Sequence, residues 1–386
     1  VKRFPAYDPP EYVDWEPDPE LSSQFVATWS QRPERKAAIE QLSRESKLDL
    51  YRGMVRTRIH DMTLKRWVRH GVISKAWLGT GEEATTVGPV HALNRQLDVV
   101  APMIRNAGAC CEMGMPVVCM LRGYLGTYDS PSHGRDGHVG DLRFRVLQPI
   151  SNLGNMPPVT VGVALSFQMR GENGIALTWI GDGSMKHGGT HEAFGLAAAL
   201  RLPVVFIVQN NQIALGTLVT AHHPPGTFVT VHQAYGMAGW SFDGNNVLDA
   251  YAATRLAAEH CRAGSGPVVL AAETFRMGGH ATHDGQEARE LIPAEVFAHW
   301  GARDPIGLYE QYLKGDGVDS EILERIEAQV VQEVEQAEKE ALASRDASRP
   351  RPESALDGVY TSNQPSSNEA PKSIPQRLHP EQQHHK

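Results

Sequence analysis

Apolar positions along the chain fall into two patterns, and their alternation sets the fold class. Continuous apolar bursts occur at 98–104, 174–180, 203–209 and 267–273, several of them bounded by Gly or Pro. Unbroken rather than alternating hydrophobicity marks strands buried on both faces of a parallel sheet. Between the bursts lie stretches with helical spacing, at 82–93, 191–200 and 247–262. Upstream, Leu48, Tyr51, Val55, Ile59 and Met62 recur at intervals of three and four, which predicts a helix over 46–73. Downstream, Leu323, Ile326, Val330, Val334 and Ala337 stripe a charged helix over 318–344. The strand–helix–strand order predicts an α/β fold, a mostly parallel sheet flanked by helices with right-handed crossovers.

The two ends read differently. Residues 1–45 are rich in Pro, Glu and Asp and read as an extended N-terminal arm followed by a short helix. Residues 345–386 are polar and read as a flexible tail, its closing histidines included. That leaves 46–344 as the ordered domain. Lys65, Arg66 and Arg69 read as the solvated face of their helix. The chain has 386 residues, with 37 basic and 45 acidic side chains, for a formal charge of −8. An acidic balance offers no general attraction to nucleic acid or to an anionic membrane. The longest apolar run, Val204 to Val208, has the length of a strand, well short of the roughly 20 residues of a membrane span. Cys110, Cys111, Cys119 and Cys261 show no metal-ligand or redox spacing and read as reduced thiols. The first residues show no apolar signal core. The expectation is a soluble enzyme of the cytoplasm, or of the mitochondrial matrix in a eukaryotic source.

Chemistry concentrates at 174–213. This block runs strand, Gly-rich turn, helix, strand, then Asn210-Asn211. Gly181 and Gly183 allow a sharp turn and close approach to a ligand. Asp182 stands at the carboxyl end of the first strand, and the following helix points its N-terminus at the same place, which attracts phosphate. The asparagine pair closes the next parallel strand, so it emerges at the same sheet edge. A carboxylate, an amide oxygen and a carbonyl beside phosphate oxygens are hard-oxygen coordination suited to Mg²⁺.

Gly-Asp-Gly followed by Asn-Asn about thirty residues later resembles the thiamine diphosphate signature. The wider sequence, from about 46 to 340, resembles the alpha subunit of the decarboxylating component of 2-oxo acid dehydrogenase complexes. The likeness includes LYRGMVRTRIHD from Leu50, IRNAG from Ile104, SNLG from Ser151 and ETFRMGGHATHD from Glu273. Gly81-Glu82-Glu83-Ala84 is similar to the branched-chain members, where pyruvate members usually carry glutamine second. The resemblance implies thiamine diphosphate and Mg²⁺ as cofactors. It assigns the metal to the Asp182 carboxylate, the Asn211 amide oxygen and the Ile213 carbonyl. It places Arg105, Gly183 and Ser184 on the diphosphate, and Ser151 and Leu153 along the aminopyrimidine and thiazolium. Gln209 falls on a cofactor-contacting position, and His280 on the loop histidine beside the diphosphate and the reacting centre.

The chain also departs from its relatives. Ile104 stands where many carry tyrosine before the diphosphate-binding arginine. Met185-Lys186-His187-Gly188-Gly189 replaces a stretch that is usually acidic, and Lys186 or His187 there can pair with an anion. His138 lies two places early for a family histidine. Ala281 stands where some mitochondrial relatives carry a regulatory serine, so that phosphorylation switch is not expected.

The resemblance implies oxidative decarboxylation of a small 2-oxo acid, branched-chain or pyruvate, with the acyl group passed to a lipoyl arm on an acyltransferase core. The sequence holds only one such α/β sheet, so the glutamate that activates the aminopyrimidine is expected from a beta subunit, in an α2β2 heterotetramer. The alternatives are a carboligase or non-oxidative decarboxylase on the same fold, and a structural subunit without turnover.

Overall fold

The computed structural model describes residues 4–224 and 226–357. The strands in chain order are β1 (Val99–Ala101), β2 (Ala176–Gly181), β3 (Val204–Asn210), β4 (Ile213–Ala214), β5 (Thr217–Leu218), β6 (Ala238–Asp243) and β7 (Val268–Glu273). Five of them form one parallel sheet in the order β1-β2-β3-β7-β6, and β4 and β5 make a small antiparallel ribbon. All four strands expected from apolar bursts are present.

The reason for the unbroken bursts lies in the packing on both faces. Val205, Ile207 and Leu270 face one side with Val100, Leu177 and Trp179, under helices Glu83–His91 and Val247–Arg262. Val204, Phe206 and Val208 face the other with Ala176 and Ile180, under helices Met156–Arg170 and Gly188–Ala199. All of these strand residues are buried, so between Val204 and Val208 neither face of β3 offers a solvated position.

A third apolar layer lies around the long helices Arg44–Arg69 and Ser320–Ala347. The N-terminal residues belong to it. In place of an extended arm, the segment forms helices Pro10–Val13, Pro19–Ser30 and Pro33–Glu40. Leu21, Phe25, Trp29, Ala38 and Ile39 enter the same buried cluster as Leu50 and Tyr309. Three of the prolines that made the stretch look extended, Pro10, Pro19 and Pro33, each start a helix, where a missing N–H is harmless.

The basic stretch is likewise engaged. Lys65 donates to the Tyr7 carbonyl, Arg69 to the Ala6 carbonyl and Arg66 to Glu338, so these residues fasten neighbouring segments. Residues 4–349 lie within one compact unit, and residues 350–357 lie in a separate one. Helix Ser320–Ala347 extends past the expected boundary at 344, and the closing histidines lie outside the described residues.

Candidate active site

The strand register determines where the chemistry converges. Gly181 pairs with Gln209, and Asn210 with Glu273, so β2, β3 and β7 end flush. The residues just past those ends share one sheet edge, where parallel α/β sheets hold their ligands. A cavity of about 550 Å³ opens there. Of the residues expected at the site, Arg105, Ser151, Leu153, Asp182, Gly183, Ser184, Asn211, Ile213 and His280 line it.

Asp182 is buried and begins a tight turn over Gly183–Lys186. Burial raises its carboxyl, opposed by His222, whose Nε2 lies 3.1 Å from Oδ2. Gly183 has no room for a side chain, because a Cβ there would come 2.7 Å from that of Ala214. Close packing against Ala214 therefore requires glycine at this position of the turn. Ser184 is turned inward, its hydroxyl accepting from the Gly154 amide at 3.1 Å.

Asn211 is oriented from behind. Its Nδ2 donates to Glu82 Oε1 at 2.9 Å, which turns the amide oxygen the other way, where it accepts from the Ile213 amide at 3.4 Å beside the cavity that both residues line. The neighbouring Asn210 points elsewhere, donating to Glu273 at 2.7 Å. Gln209 is fully buried and is not among the lining residues. It donates to Glu82 and accepts from Asn106 at 3.0 Å, so it belongs to the support behind Asn211.

After Asn211 the chain turns through two left-handed residues, Gln212 (φ 71°) and Leu215 (φ 57°), with Ile213 between them. Arg276, just beyond β7, holds this turn by donating to the carbonyls of Ile213 at 3.0 Å and Leu215 at 2.7 Å. Burial, then the nearby Arg105, lowers the Arg276 guanidinium to about 10.

Arg105 lies 3.7 Å from Glu82 and donates to the Leu78 carbonyl at 3.0 Å. Its Nη2 is 3.3 Å from His280 Nδ1. A guanidinium can only donate, so Nδ1 accepts and the ring proton sits on Nε2. Burial, then Arg105 and Arg276, pushes the His280 imidazole down to about 4, and the ring is neutral at ordinary pH.

A chain of side chains reaches the cavity from outside. Asp136 Oδ1 lies 2.7 Å from His138 Nδ1, and His138 Nε2 lies 2.9 Å from the hydroxyl of Ser151. Burial opposes it, but the hydrogen bonds from His138 hold the Asp136 carboxyl below its usual range. His138 thus meets the cavity through Ser151 and is not itself a lining residue.

Glu82, Arg276 and His222 went unassigned in the sequence reading. Glu82 and Arg276 lie inside stretches that carry the resemblance, and a buried charge in such a stretch was a usable signal. His222 comes from a segment with no recognisable motif, and only the fold brings it to Asp182.

Comparison with known proteins gives a consistent result. The family described as dehydrogenase E1 component matches residues 51–349. The chain is 30% identical over 327 residues to a 2-oxoisovalerate dehydrogenase subunit alpha of Bacillus subtilis, covering 83% of this chain and 96% of that protein. It is 32% identical over 315 residues to a 3-methyl-2-oxobutanoate dehydrogenase subunit alpha of Mycobacterium tuberculosis, covering 81% of each. It is 30% identical over 311 residues to a pyruvate dehydrogenase E1 component subunit alpha of Bacillus subtilis, again covering 81% of each.

Proposed function

The chain belongs to the dehydrogenase E1 component family, and from that premise we propose that it is the alpha subunit of a thiamine diphosphate-dependent 2-oxo acid dehydrogenase. Its substrate class is the branched-chain 2-oxo acids or pyruvate, which are the substrates its relatives' names carry. The observation that carries this reading is the cavity at the carboxyl edge of the sheet, with Asp182, Asn211 and Ile213 along one wall and Arg105, Arg276 and His280 in its lining.

The residues present fit the group. A carboxylate, an oriented amide oxygen and a main-chain carbonyl form an all-oxygen set suited to Mg²⁺. Gly183 lines the cavity without a side chain, and the two guanidinium groups in the lining supply positive charge. Thiamine diphosphate, when bound, supplies the electron sink for loss of CO₂. The chain's own residues position it, neutralise its anionic end and handle protons. His280, with its proton on Nε2 and its other nitrogen tied to Arg105, is built to donate at the reacting end.

The relatives are named as alpha subunits, which implies a beta partner. Exposed apolar side chains support this. Ile150, Leu153 and Leu215 stand at the cavity, Val159, Met169 and Leu196 stand on the two helices that cover one face of the sheet, and Leu200 stands just past the end of the second. An apolar surface of this kind marks a protein interface. In this reading the partner closes the cavity and brings the activating glutamate, in an α2β2 assembly that serves a lipoyl-bearing acyltransferase core.

The test is to co-purify the chain with its beta-type partner and follow CO₂ release with a dye acceptor and with a lipoyl domain. Both acceptors should support turnover that depends on thiamine diphosphate. Turnover with dye alone would make the protein a non-oxidative decarboxylase or carboligase subunit, and cofactor binding with no turnover would make it structural. Asp182→Ala should abolish Mg²⁺-dependent cofactor binding while circular dichroism shows the fold intact. Unchanged affinity would remove the metal assignment.

A further inference from the structure

We propose that Lys186 makes a direct side-chain contact with the terminal phosphoryl group of the bound diphosphate, with His223 as its prop. The inference rests on the thiamine diphosphate reading above and assigns a cation that the departure of residues 184–189 from the relatives left open.

Charge and hydrogen-bond capacity single out this residue. Three permanently cationic side chains line the cavity, Arg105, Arg276 and Lys186, against the carboxylate of Asp182. Arg105 already faces Glu82, the Leu78 carbonyl and His280. Arg276 donates to the carbonyls of Gly278, Ile213 and Leu215. Lys186 is different. Among the described residues no carboxylate lies within ion-pair distance of it, and its ammonium has three donors. One is directed at His223 Nδ1, 2.9 Å away, while the ring of Phe228 lies 5.8 Å from the nitrogen.

The prop leaves the charge of Lys186 unneutralised. His223 stacks on Phe228 with ring centres 3.8 Å apart and planes 17° apart, which fixes the imidazole. Burial, then Lys186 and His222, lowers the His223 imidazole from its ordinary value, so it accepts as a neutral base. The result is a positioned ammonium with free donors at the edge of an anion-binding cavity. Such an arrangement is stabilised when an anion takes up those donors.

Position decides which phosphoryl group it meets. Lys186 ends the turn that starts after Asp182. Asp182 and Ser184 are buried, whereas Lys186 is exposed at the rim. Lys186 would hold the outer, terminal group of a diphosphate bound beside the Asp182 carboxylate, because it stands at the far, exposed end of the turn. His187, the other basic residue here, is not among the lining residues.

The test uses the full chain assembled with its partner, saturating Mg²⁺, and calorimetric titration with thiamine diphosphate and with thiamine monophosphate. Wild type binding the diphosphate tightly upholds the underlying reading; no binding would overturn that reading and this inference with it. Loss of one charge-assisted contact should weaken diphosphate binding in Lys186→Met by roughly 10- to 100-fold. Monophosphate binding should change far less, and Lys186→Arg should recover most of the loss. Diphosphate affinity equal to wild type in Lys186→Met, or equal weakening for both ligands, would overturn the assignment while leaving the family reading in place.

Discussion

Asn211 shows how a single amide is given one direction. Its nitrogen side is tied to a buried carboxylate, so its oxygen is turned the other way, toward the Ile213 amide, in a residue that lines the cavity. The sequence shows the asparagine, yet the carboxylate that orients it lies 129 positions away. This is why Asp182, Asn211 and Arg105 were legible as motif residues while Glu82 and His222 were not. Gln209 stood on a site position by resemblance, but its side chain turns into the buried support, a direction set by the alternation along β3. His280 makes a prediction at this scale. Its folded value of about 4 lies below the ordinary 6.5, because burial and two guanidinium groups disfavour the charged ring. Between those values the unfolded chain binds more protons than the folded one, so this group's contribution to stability rises with pH. It is lost as pH falls through the window and constant above about 6.5. Denaturation of wild type and His280→Asn across this range should show their stability difference shifting against wild type toward acid and flat above it; a difference independent of pH would contradict the assignment.

Among the elements, strands buried on both faces were the most legible, because their unbroken apolar runs have no other use in a sheet covered on both sides. β6 escaped notice for the opposite reason. It is an edge strand that reads Ala238 to Asp243 with Gly239 and Ser241 inside, and it is mostly half-buried. Helix Met156–Arg170 escaped because apolar residues lie on both its faces: Val161 and Phe167 inside, Val159 and Met169 outside. Without a polar side there is little amphipathic period to read. Helices Glu83–His91 and Val247–Arg262 meet closely at Gly88. A Cβ there would lie 2.7 Å from the Val247 carbonyl oxygen and 2.8 Å from the Ala250 Cβ. Gly88→Ala should therefore destabilise the chain by about 1–3 kcal/mol through overpacking. A denaturant midpoint lowered with unchanged slope would show it, and an unchanged midpoint would mean that the helices separate freely.

At the scale of the whole molecule, composition misjudged the N-terminus. Its prolines and acids suggested an arm, while five apolar side chains between Leu21 and Ile39 were enough to seat two of its three short helices in the main core. The relatives' names as alpha subunits imply a beta partner, as the sequence resemblance does. In the proposed assembly the exposed apolar residues of helices Met156–Arg170 and Gly188–Ala199 would face that partner. Leu196→Asp combined with Leu200→Asp should leave the isolated chain folded but prevent assembly, seen as a fall in mass by light scattering during co-purification with the partner. Retained assembly would place the interface elsewhere. The left-handed residues Gln212 and Leu215 have a consequence for how such a protein can be improved. Neither is a glycine, and each holds a conformation that ordinarily disfavours a side chain by about 1 kcal/mol or more. Glycine at either position would relieve that strain and also free the turn that presents the Ile213 carbonyl. Selection for thermal tolerance alone would be drawn toward these two positions, and selection for cofactor retention would hold them as they are.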